Sequence, residues 1–173
     1  RRENLGLPLE NICAAVKRLA EDFPDVKIVY PVHLNPSVQK TVYSMLSNIQ
    51  NVILCEPLCV EDMHNLIAHS YIVLTDSGGL QEEAPALGKP VIVMRNETER
   101  PEAINADTVR IAGIEKDNIY SLSAELLTST SAYKKMSHAV NPYGDGRASK
   151  RIAEAILYYF GMGEKPEEFV YNS

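Results

Sequence analysis

The chain of 173 residues is poor in cysteine, in long apolar runs and in positive charge, and each shortage removes a class of protein. Its three cysteines, Cys13, Cys55 and Cys59, are an odd and sparse set. They fit a reducing compartment, here expected to be the cytoplasm, better than a disulfide framework. Cys55 and Cys59 are not spaced as CxxC, and His64 and His69 lie five apart, off the step that would put both on one helical face. No metal site is expected from them. No apolar run approaches the roughly 18 residues of a membrane span, and the opening RRENLGLP lacks the apolar stretch of a signal peptide, so no membrane partner is expected. The net charge of −6 argues against a nucleic-acid surface. An anionic ligand would have to be held by local groups rather than by the overall field. The GxGxxG fingerprint of dinucleotide folds and the GxxxxGKS/T of P-loops are also missing, which counts against NAD binding and ATP hydrolysis.

What is present is a globular composition, 45% hydrophobic and 23% charged, enough for a core in one large domain. From Pro8, Leu9, Ile12, Val16, Leu19 and Phe23 recur at steps of three and four, a helix that Pro24 ends. KIVYPVH reads as a strand. Asn35 and Pro36 form a cap and first-turn pair for a helix carrying Val38, Val42 and Met45. NVILCEP is a second strand, and a short helix over 60–69 should turn Met63, Leu66 and Ile67 inward. YIVLTD, PVIVMR and the weaker TVRIAG are three further strands, with a helix after Gly79 between the first two. Helices follow near 117–128 and 132–138; after the turn NPYGDG a last one runs over 149–160, and the polar tail is expected to pack loosely. Strands alternating with helices imply right-handed βαβ crossovers. The fold class is α/β, a doubly wound parallel sheet in a single domain over 1–173.

Ligands of such sheets sit beyond the carboxyl ends of the strands. The sequence DSGGLQEEA lies at such an end and opens a helix, whose first N–H groups are unpaired and carry partial positive charge suited to phosphate. Gly78 and Gly79 remove side chains that would hold a phosphate off those groups, and Ser77 adds a hydroxyl; the alternative is a tight turn with Ser77 as cap. Glu82 and Glu83 suit the helix dipole. Glu83 stands four residues after Gly79, on the same face, where a carboxylate can accept both hydroxyls of a ribose. Glu82 then serves elsewhere. Arg95 and Arg100 follow the next strand and are planar donors suited to phosphate, the alternative being ion pairs with Glu97, Glu99 or Glu102.

The segment LTDSGGLQEEAPALGKPVIVMRNETERPE, together with RREN, YPVHLNP and NPYGDGRASKRI in that order, closely resembles the non-hydrolysing UDP-N-acetylglucosamine 2-epimerases from Arg1 to about Leu157. The resemblance implies the Rossmann-like C-terminal half of a GT-B-like two-domain architecture, with the family's proton-transferring carboxylates in the N-terminal half, so no catalytic residue is assigned here. It implies UDP held by Ser77, Gly78, Gly79, Glu83 and Arg100, with uracil near Leu58 and Met63; some members carry an aromatic residue in place of Met63. Arg1 and His33 match positions that bind a second UDP-GlcNAc as allosteric activator in bacterial members. The implied reaction interconverts UDP-GlcNAc and UDP-ManNAc without metal or cofactor, in a protein that is a homodimer when complete. The alternatives are the nucleotide half of a GT-B glycosyltransferase, a hydrolysing epimerase, and a non-catalytic UDP-sugar-binding module.

Overall fold

A computed structural model describes residues 2–170. After a 3-10 turn at Arg2–Asn4, the helices and strands alternate: α1 Leu7–Asp22, β1 Ile28–Pro31, α2 Pro36–Leu46, β2 Val52–Cys55, α3 Val60–His69, β3 Val73–Thr75, α4 Gly78–Ala86 and β4 Val91–Val93. The chain continues through α5 Pro101–Asn105, β5 Val109–Ile111, α6 Lys116–Thr128, α7 Thr130–Ser137 and α8 Ala148–Tyr159. Proline and small polar residues set the starts. Asn35 caps α2 by accepting the Ser37 N–H at 2.9 Å, ahead of Pro36, and the Ser129 side chain caps α7 through Ala132 N–H.

All strand pairs are parallel, but the ladder runs in two groups, β1–β2 and β3–β4–β5. The single continuous sheet expected from the sequence is thus interrupted between β1 and β3 among the described residues. Helix α1 spans the break. Its Leu9, Cys13 and Val16 pack with Val32, Val42, Leu46 and Val52, while Ile12 and Ala15 pack with Ile92, Met94, Ile119 and Leu126. Alternate residues of β4 face opposite ways, as the pleat requires. Ile92 enters the α1/α6 core, whereas Val91 and Val93 enter a second core with Ile67 of α3, Ala84 of α4 and Ala103 of α5. Helices therefore cover both faces of the sheet, which explains the unbroken apolar run VIV. Each such fully buried aliphatic contributes about 1.5–3 kcal/mol relative to an exposed one.

One local reading needs correction. The polar loop after β4 contains a short helix, α5, with Pro101 at its first turn; five residues are too few to show helical periodicity. The tail stays largely exposed but is tied back: Arg151 of α8 donates from Nε to the Glu167 carbonyl at 3.0 Å, and its guanidinium stands 5.8 Å from the Phe169 ring. Arg151 also makes a two-pronged contact with Asp145 of the preceding turn, at 2.7 and 2.8 Å. No helix among the described residues is long and apolar enough to cross a membrane.

Candidate functional site

The carboxyl ends of β3 and β4 hold a compact polar cluster. β3 ends at Thr75, whose hydroxyl accepts the Ser77 N–H at 3.0 Å and so shapes the turn into α4. Ser77 stands at the N-cap in an extended conformation, and its hydroxyl makes no capping bond, which leaves it available to a ligand. The opening N–H groups of α4 have no intrahelical partner by the geometry of a helix start. Ser77 and Gly78 are half-buried, and Gly79 is exposed.

Glu83 lies over Gly79. A Cβ added at Gly79 would meet Glu83 Oε1 at 3.4 Å and Ser77 Oγ at 3.9 Å, so the turn, the hydroxyl and the carboxylate share one small space. The other oxygen of Glu83 is 3.2 Å from His64 Nε2 on α3. Glu82 points to a different partner, the Nε of Arg100, which carries its hydrogen bond. That bond raises the Arg100 guanidinium above its ordinary value, so it remains a fixed cation. The two adjacent glutamates therefore divide as the helical spacing predicts.

A buried amide connects these parts. Gln81, fully buried, donates from Nε2 to the Ser77 carbonyl at 3.2 Å and accepts the Thr98 hydroxyl at 2.6 Å. Thr98 Oγ1 in turn accepts the Arg100 N–H at 3.1 Å. The turn at Ser77 and the loop bearing Arg100 are thus held in register through one side chain. Sequence reasoning assigned Gln81 and Thr98 no role; a Gln that falls on the buried side of α4 was the available signal.

The RREN segment also reaches this end of the sheet. Buried Asn4 donates to Asp76 Oδ2 at 2.9 Å and to the Met94 carbonyl at 3.3 Å, which ties the first turn of the chain to β3 and β4. Arg95 is taken by Glu99 at 2.8 and 2.9 Å, with Glu3 at 3.7 Å. Of the two readings for Arg95, the ion pair with Glu99 is the one formed; for Arg100 the partner is Glu82, which was not among the carboxylates considered. Burial pushes the Tyr30 phenol of β1 upward, and Cys13 and Asp76 add to the effect.

Leu58 and Met63 are half-buried near the start of α3, Met63 against the core formed with Ile67, Ala84 and Val91. His33 is exposed, and its Nδ1 accepts the Asn35 N–H at 3.1 Å, which gives it a part in the turn into α2. Arg1 lies outside the described residues. Tyr143 packs against the same core as Met63 with its hydroxyl buried; burial, with Glu102 and Glu82 nearby, pushes the phenol up to about 12. Among the described residues no group of three His, Cys, Asp or Glu side chains is arranged to hold a metal ion.

A family model described as UDP-N-acetylglucosamine 2-epimerase matches residues 1–157. A UDP-N-acetylglucosamine 2-epimerase of Bacillus subtilis is 53% identical over 170 residues, 98% of this chain and 45% of the relative. Among solved structures, an S. aureus MnaA–UDP co-structure superposes with a TM-score of 0.93 at 48% identity, covering 98% of this chain and 47% of that one. A UDP-GlcNAc 2-epimerase from Neisseria meningitidis bound to UDP-GlcNAc gives 0.87 at 46% identity, over 91% and 43%. The chain thus spans a little under half the length of these relatives, and its α/β fold is one Rossmann-like half of their GT-B-like architecture. Because the family model covers most of the chain and includes the whole cluster from Asn4 to Arg100, the chain belongs to the UDP-N-acetylglucosamine 2-epimerase family.

Proposed function

We propose that this chain is the UDP-binding, C-terminal half of an enzyme that interconverts UDP-GlcNAc and UDP-ManNAc. The observation that carries the reading is the shared space of Ser77, Gly79 and Glu83 at the start of α4, within a segment that matches the family throughout. Relatives of this fold are described in complex with UDP and with UDP-GlcNAc, which supports the ligand class. The diphosphate meets the bare turn and the Ser77 hydroxyl, and Glu83 accepts the ribose hydroxyls one helical turn along. Arg100 bonds Glu82 through Nε and supplies the nucleotide with a cation through its remaining N–H groups. Leu58 and Met63 provide the apolar wall for uracil, with thioether sulfur taking the place of a flat ring.

In the reaction, a base removes the C2 proton while the C1–O bond to UDP breaks. The electron pair left at C2 becomes the C1=C2 double bond, and UDP departs with the C1–O pair. UDP then adds back at C1 as a proton returns to the opposite face of C2. The carboxylates for these proton transfers belong to the other half of the protein. This half stabilises the charge that develops on the departing diphosphate and keeps UDP in place for re-addition, so the return step remains unimolecular.

Titration of the chain with UDP and with UMP should show tighter binding of UDP, because the turn is built for a diphosphate. Incubation with UDP-GlcNAc in heavy water should leave C2 unlabelled. Label entering C2 with this chain alone would overturn the assignment of the chemistry to the other half.

Regulation belongs to the same reading, with Arg1 and His33 as contacts for a second UDP-GlcNAc in a cytoplasmic homodimer. His33 is exposed, and its Nδ1 serves the turn into α2. In the complete enzyme, His33→Ala should reduce activation by UDP-GlcNAc and leave UDP affinity nearly intact. Equal loss of both would place His33 in the main pocket instead.

A further inference from the structure

The pair formed by His64 and Glu83 joins two helices at the nucleotide site, and the function above gives His64 no task. Both side chains are about half exposed, 47% and 45%, and they meet at 3.2 Å. Exposed pairs of this kind add little to stability. Their geometry is the informative part. An ionised carboxylate only accepts, so the proton of this contact sits on His64 Nε2. It is given to Glu83 Oε2, while Oε1 is the oxygen that stands over Gly79.

Helical spacing places Glu83 on the face of Gly79 but does not choose its rotamer. A free glutamate on a helix surface samples several, and ordering it on ligand binding costs side-chain entropy. A donor arriving from a second helix removes that freedom in advance. The helix that carries His64 is anchored: Met63 and Ile67 of α3 pack in the core with Ala84 of α4. The carboxylate of Glu83 has about four lone-pair positions, enough for two ribose hydroxyls and the imidazole together.

We propose that His64 is a positioning residue for nucleotide binding, holding Glu83 in the orientation that receives the ribose of a nucleoside diphosphate. This rests on the reading of Glu83 as the ribose ligand. It makes α3 the reader of the nucleoside, with Met63 toward the base and His64 acting on the sugar through Glu83.

The test is calorimetric titration of the chain and its His64→Ala, His64→Gln and Glu83→Gln variants with UDP and with 2′-deoxy-UDP, each variant checked by thermal melting. His64→Ala should weaken UDP roughly three- to tenfold, the range of one modest hydrogen bond. It should weaken 2′-deoxy-UDP less and leave Tm unchanged. His64→Gln should recover most of the UDP affinity, because its amide N–H falls close to the place of Nε2. Equal losses for both nucleotides, no loss for UDP, or no recovery by glutamine would overturn the role of His64 while Glu83→Gln remains costly. If Glu83→Gln leaves UDP binding unchanged, the ribose reading fails, and the inference about His64 with it.

Discussion

Two adjacent glutamates on α4 carry different partners, and the difference is set by the 100° turn between successive helical residues. Glu83 shares its face with Gly79 and Ser77; Glu82 is turned to Arg100. Replacing Glu83 by Gln keeps shape and removes a charged acceptor, and hydrogen bonds to charged groups are worth roughly 1.5–3 kcal/mol. UDP binding should weaken about tenfold or more in Glu83→Gln, since about 1.4 kcal/mol is a factor of ten. Glu82→Gln should change it little. Calorimetry on both variants decides between them, and a costly Glu82 would show that the register of the site is misjudged. Helical arithmetic was sufficient to separate these two residues. It was not sufficient for His64, because a contact across 19 positions depends on how α3 lies against α4.

At the scale of elements, a buried amide supports the site and an exposed clamp holds α8 to the turn before it. Gln81 links the turn into α4 with the loop before α5. Gln81→Leu fits the buried volume but leaves the Ser77 carbonyl and the Thr98 hydroxyl without this partner, a cost of about 2 kcal/mol or more. For a chain of this length that lowers Tm by roughly 4–8 °C, read by thermal denaturation. A melt unchanged by the substitution would mean that these groups find other partners.

The clamp is Asp145 with Arg151, which joins the NPYGDG turn to α8. The hydrogen bonds from Arg151 hold the Asp145 carboxyl well below its ordinary value of 3.8. A carboxyl depressed in the folded state contributes its stability in full above the unfolded value and loses it as pH falls toward the folded one. The difference in Tm between the chain and Asp145→Asn should therefore be present at neutral pH and shrink below pH 3.8. Because the pair is open to solvent, added salt should shrink it as well. A difference independent of pH would assign the effect to the turn's hydrogen bonds and not to the ion pair.

For the whole molecule, α8 is the element least absorbed by the fold. None of its residues is buried, and Ile152, Ile156 and Tyr159 are 61%, 53% and 81% exposed. Contiguous apolar surface of this kind binds hydrophobic dyes and favours association. The double substitution Ile152→Ser and Ile156→Ser should lower dye binding with little change in Tm, because neither side chain is in a core. Equal dye binding by both proteins would place the exposed apolar surface elsewhere. The helix itself was legible in the spacing of Ile152, Ala155, Ile156 and Tyr159. That spacing marks an apolar face, and only the folded chain shows that its own core leaves this face uncovered.

By itself the sequence determined the strands, the helices other than α5, and the residue types at the turn into α4. Periodicity of 3.6 and runs of β-branched residues are local properties, as are the Pro and Asn signals at helix starts, so each is written within a few positions. The same holds for the bare glycines before α4 and for the face shared by Gly79 and Glu83. Tertiary structure decided everything that joins distant positions. It brought Asn4 to Asp76 and Met94, placed Gln81 between Ser77 and Thr98, gave Arg100 to Glu82 and His64 to Glu83. It also broke the ladder between β1 and β3 and used α1 to pack across the gap. The physical reason is that a hydrogen bond is specified by distance and angle over about 3 Å. Polar side chains with many possible partners in the sequence acquire one only when packing fixes which of them comes that close.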